Sequence, residues 1–145
     1  MNFSQFLFEA EEEEKNIQAM LKKLPKKHAA LMKGFRFKYV PGNVLPGDDE
    51  HIGLIKGKVV TVAGPWNYGR EFTTLHEIGH MVWEKLMTPK LKKAWTKVAK
   101  KNPKQNQDHD EENFCMAYAA TYTKHPPLTH HHEAWVDFIK NEVPK

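Results

Sequence analysis

Sulfur chemistry is scarce in this sequence: Cys115 is the one cysteine in 145 residues. A lone cysteine rules out an intrachain disulfide and leaves no cysteine-based zinc site to expect. Its simplest reading is a small buried hydrophobe. No apolar run approaches the roughly 18–20 residues of a membrane span, so no membrane partner is expected. The stretch from Met1 to Glu9 lacks a basic leader and runs into Glu11-Glu12-Glu13-Glu14, which argues against a secretory signal. A cytoplasmic protein is the expectation, with export by a non-classical route left open. There is no internal repeat, low-complexity linker or second-domain boundary. A net charge of +4 is too mild to argue for nucleic acid by itself. What remains, 40% hydrophobic and 28% charged, is the composition of one globular domain over 1–145 with a genuine core.

Periodicity divides that domain in two. Residues 1–34 read as an N-terminal helical segment. A helix runs from Ser4 to about Lys23, its acidic run a solvated face with Glu11 pairing Lys15. Pro25 then breaks the chain before a short helix from Lys26 to Lys33. From 35 onward, Phe35–Val40 alternates in the manner of a strand. His51–Lys56 and Lys58–Ala63 flank Gly57 as a hairpin. A helix starts near Arg70. Thr88-Pro89 caps and opens a lysine-rich helix that buries Leu91, Trp95, Val98 and Ala99. Further helices follow from Asp110 to Tyr122 and from a Thr129 cap through Ile139. This pattern predicts an α+β fold: a short twisted sheet of about three strands, then helices.

The chemistry concentrates in the helix near Arg70. Phe72, Leu75, Ile78, Val82 and Leu86 recur at helical spacing and mark its buried stripe. Off that stripe lies His76-Glu77-x-x-His80. Histidines four apart share one helix face and can bind one zinc ion, with the glutamate beside the metal's open position. Gly79 lowers helix propensity by about 1 kcal/mol and is better explained by close approach of another backbone. A catalytic zinc needs a third protein ligand. Glu112 leads the candidates, then Glu111, with Asp108, His109 and Asp110 behind. His130-His131-His132 reads as surface, since three consecutive residues cannot share a helix face.

His76-Glu77-Ile78-Gly79-His80, followed by Glu112-Asn113-Phe114-Cys115-Met116-Ala117-Tyr118, resembles the gluzincin metallopeptidases. The similarity is closest to the branch holding the anthrax lethal factor catalytic domain and the Pro-Pro endopeptidases. It covers roughly His51 to Tyr122 and implies a small zincin-like fold, with 35–145 as catalytic core. It implies one Zn2+ on His76, His80 and Glu112, and peptide-bond hydrolysis by a zinc-activated water with Glu77 as general base. An extended peptide would pair with the His51–Lys56 strand, where Gly53 would admit it closely. The oxyanion donor would be His109, with Tyr68, Tyr122 and His125 as alternatives. Two positions depart from the branch: Gln105 stands at a tyrosine site and Met116 at that of a second acid. They sustain a second reading, a zinc-stabilised regulatory or phage-type accessory domain without turnover. A third, nucleic-acid binding through Lys90 to Lys104, lacks the aromatic interleaving that would support it.

Overall fold

The computed structural model describes residues 2–40, 53–63, 70–102, 109–124 and 133–145. The described elements run α1 (Phe3–Lys22), α2 (Lys26–Leu31), β1 (Arg36–Val40), β2 (Gly53–Lys56), β3 (Val59–Ala63), α3 (Glu71–Leu86), α4 (Pro89–Lys101), α5 (Asp110–Tyr122) and α6 (Glu133–Glu142). The fold is α+β, with a three-stranded sheet ahead of the motif helix α3. Among the described residues no helix is long and apolar enough to cross a membrane.

The sheet order is β1-β3-β2. β1 runs parallel to β3, and β2 pairs antiparallel with it through the turn at Gly57, whose φ of 60° suits glycine. Alternation sends Val60 and Val62 into the core, both fully buried. β2 forms one edge of the described sheet and leaves Leu54 exposed.

The predicted stripe of α3 faces the interior: Leu75, Ile78 and Val82 are completely buried. Their main partner is α5, which runs antiparallel and shares the most extensive helix contact in the described fold. Gly79 explains how the two come so close. A β-carbon there would lie 3.1 Å from Cys115 Cα and 3.3 Å from Tyr118 Cβ. At the other end, Glu71 Oε1 accepts hydrogen bonds from Thr123 Oγ1 (2.9 Å) and Lys124 N (2.6 Å), fixing the register of the pair.

Helices α4 and α6 complete the core through aromatic rings. Trp95 packs on Phe114, Trp135 and Phe138 at centroid separations of 5.6, 5.5 and 5.3 Å. The predicted cap of α4 is present, with Thr88 Oγ1 accepting from Leu91 N. At the start of α1, Asn2 and Gln5 form a reciprocal capping box.

The acidic run of α1 is not simply a solvated face. Glu13 binds Arg70, which is nine-tenths buried and stacks 4.6 Å over the Tyr39 ring. A guanidinium so shielded needs a carboxylate partner, and α1 supplies it at the entry to α3. Lys15 pairs with Glu12, at 3.6 Å.

A second buried polar link joins the N-terminal segment to α5. His28, fully buried on α2, has Nδ1 3.0 Å from Tyr118 Oη and Nε2 2.6 Å from the Pro144 carbonyl. The carbonyl only accepts, so Nε2 carries the proton and Tyr118 donates to Nδ1. Desolvation lowers the His28 pKa, consistent with this neutral form.

Candidate metal centre

The motif places His76 and His80 one turn apart on α3, with ring centroids 5.2 Å apart. Their carboxylate neighbours come from the first turn of α5, where acids also complement the helix dipole. Glu112 bridges the pair: Oε2 lies 3.0 Å from His76 Nε2, and Oε1 lies 3.2 Å from His80 Nε2. Glu111 Oε1 sits 3.1 Å from the other nitrogen of His80, Nδ1.

These distances allow a test of whether zinc fits. Bonds of about 2.0–2.1 Å at tetrahedral angles hold neighbouring nitrogen and oxygen ligands roughly 3.3 Å apart. Each Glu112 contact, one through each carboxylate oxygen, is within a few tenths of an ångström of that spacing. Glu111 occupies the position of an outer carboxylate, which orients a ligand imidazole through its second nitrogen. The donor set of two imidazoles and a carboxylate suits zinc.

Electrostatics point the same way. Burial would lower the His80 pKa, but the hydrogen bonds to Glu112 and Glu111 and the Glu77 charge outweigh it and raise the pKa to about 9. Glu112 is held well below the usual carboxylate range by hydrogen bonds from His76 and His80, against its own burial. The carboxylates of Glu112, Glu111 and Glu77 thus favour positive charge at His80.

Glu77 reaches the sheet at Gly53 and is only 8% exposed. Its Oε1 would lie 2.9 Å from a β-carbon at position 53, and Thr73 Cγ2 would lie 2.7 Å from it. Gly53 therefore lets the motif helix approach the strand closely.

The start of α5 is held in place by α4. Trp95 Nε1 donates to the Asp110 carbonyl at 2.9 Å, and Thr96 Oγ1 lies 2.7 Å from Asp110 Oδ2. Asp110, one of the third-ligand candidates, is thus engaged on the α4 side. His109 is the exposed N-cap residue of α5. The described partners of the His76 and His80 rings are Glu111 and Glu112, and His109 is not among them. Tyr122 is ten residues beyond Glu112, about 15 Å along the helix, and its ring packs on Tyr118 and His28. It is not brought to the pair. Tyr68, Gln105, Asp108, His125, the His130–His132 run and the first two residues of the His51–Lys56 strand lie outside the described residues.

Cys115 is the residue that the sequence reading undervalued. It is fully buried, as expected of a small hydrophobe, yet its sulfur and one nitrogen of each motif histidine all lie within 4.8 Å of one another. The signal was available: Cys115 follows Glu112 by three, so both fall on one face of α5.

Comparison with known proteins adds no assignment: neither protein-family models, curated proteins nor solved structures gave a match to this chain.

Proposed function

We propose that this chain is a zinc-dependent metallopeptidase, with His76, His80 and Glu112 as the protein ligands. The observation that carries this reading is the Glu112 carboxylate bridging both Nε2 atoms of the motif pair. Zinc, when bound, supplies an acidified water nucleophile and Lewis-acid polarisation of a carbonyl. Glu111 keeps the His80 ring oriented by accepting from Nδ1. Glu77, on the same helix, accepts the proton released at the nucleophile and returns it to the leaving amide nitrogen. Its shielded carboxylate abuts β2, so a peptide added to that strand edge by main-chain hydrogen bonds would lie beside the base.

Replacing Glu77 by Gln keeps the size and removes the base. Glu77→Gln is expected to bind zinc like the parent chain and to cleave a peptide library about 10²- to 10⁴-fold more slowly. Unchanged cleavage would exclude Glu77 as the base.

One observation favours a second reading, a zinc-stabilised domain without turnover. Met116 stands where the resembled branch has its second acid. That reading expects stoichiometric zinc and no cleavage of any library peptide by the parent chain.

A further inference from the structure

We propose that Cys115 is a further ligand of this metal centre, a soft donor that closes the coordination sphere from beneath. The inference rests on the metal-site reading above and concerns its regulation. His76, His80 and Cys115 offer two ring nitrogens and a sulfur that are mutually within 4.8 Å. A tetrahedral zinc with a Zn–S bond of about 2.3 Å and a Zn–N bond of about 2.0–2.1 Å needs sulfur and nitrogen roughly 3.5 Å apart. A shift on the order of an ångström, within the reach of one side-chain torsion, bridges the difference.

The location supports a role for sulfur. Cys115 sits one turn after Glu112 on the same face of α5, and its α-carbon is held against Gly79, midway through the His76–His80 helix. The thiol thus forms the dry floor of the site while Glu112 covers it from the solvent side. Cys115 is fully buried, an environment in which a thiol without a cation is neutral and inert. A divalent cation reverses that preference and binds the deprotonated sulfur. The balance is simple: the S–H bond breaks, its proton passes to solvent, and a sulfur–metal bond forms.

Four protein donors, His76, His80, Glu112 and Cys115, would fill a tetrahedral zinc and leave no open position, as in sites that hold zinc structurally. Hydrolysis requires an open position, so sulfur must leave for water or substrate to enter. Cys115 therefore sets the balance between a closed resting form and an open one.

The test replaces zinc with cobalt(II) in the full-length chain and records its absorption spectrum. Visible ligand-field bands report metal on the histidines. A near-ultraviolet sulfur-to-cobalt band reports thiolate, and Cys115 is its one possible source. Both sets of bands are expected in the parent chain, with the sulfur band lost and the visible bands kept in Cys115→Ala. Visible bands without a sulfur band would overturn the Cys115 assignment and leave the His76–His80–Glu112 site standing. No cobalt bands at all would overturn both. Should Cys115→Ala fail to fold, X-ray absorption of the zinc-loaded parent decides. A sulfur scatterer at about 2.3 Å supports the inference, and a shell of nitrogen and oxygen alone refutes it.

Discussion

Two histidines in this chain are pulled in opposite directions by their surroundings, with consequences for stability. His28 is buried against Tyr118 and the Pro144 carbonyl, and desolvation lowers its pKa from 6.5. Between the lowered value and 6.5 the unfolded chain binds more protons, so this contribution is complete above pH 6.5 and declines as pH falls below it. His80 in the metal-free chain is raised to about 9, so its contribution is complete below pH 6.5 and is lost as pH rises towards 9. Thermal melts of metal-free protein should therefore weaken on both sides of neutrality. His28→Gln should flatten the acid limb and Glu112→Gln the alkaline one; an unaltered acid limb in His28→Gln would contradict the assignment. Tyr118→Phe leaves a buried imidazole nitrogen without its donor and is expected to destabilise by about 1–3 kcal/mol in denaturant titration. Neither partner of this pair was legible in the sequence. A histidine at 28 and a tyrosine at 118 carry no pattern that announces contact across a separation of 90 positions.

At the level of elements, helices and strands were well marked because their signals are local. Proline at 25 and 89, the threonine cap at 88 and the glycine turn at 57 delimit segments by backbone chemistry alone, and the observed bounds follow them. Gly79 was also readable, since a glycine inside a strong amphipathic pattern asks for a neighbour's backbone, and α5 provides it. The approach of Thr73 and Glu77 to Gly53 was not legible, because it is a tertiary fact. Both glycines give tests. Gly79→Ala should force α3 from α5, and overpacking of about 1–3 kcal/mol should exceed the gain of about 1 kcal/mol in helix propensity. Lower stability with weaker zinc binding is the expected outcome, and an unchanged midpoint would argue against the close crossing. Gly53→Ala meets the stiff Thr73 side chain as well as the Glu77 carboxylate. It should slow peptide cleavage while leaving zinc stoichiometry intact.

For the whole molecule, the sequence marked the imidazole pair and the acids at 111 and 112, and folding brings the four side chains within hydrogen-bond distance. Glu111 and Glu112 reach the histidines because α5 packs antiparallel on α3, because Trp95 and Thr96 hold the Asp110 turn, and because Glu71 ties the far end. The Glu13–Arg70 pair and the His28–Tyr118 bond draw the N-terminal segment onto the same two helices. Binding that joins α3 to α5 should stabilise the entire fold. Free zinc at 100 times its dissociation constant adds about 2.7 kcal/mol. For a chain of this length that raises the melting temperature on the order of 10 °C. Chelation should reverse the shift. The most direct measurement is zinc content after loading and exhaustive dialysis, in the parent chain and in His76→Ala and His80→Ala. The account predicts one equivalent in the parent and little in either variant. A parent chain that retains no zinc, or a variant that retains as much as the parent, would contradict it.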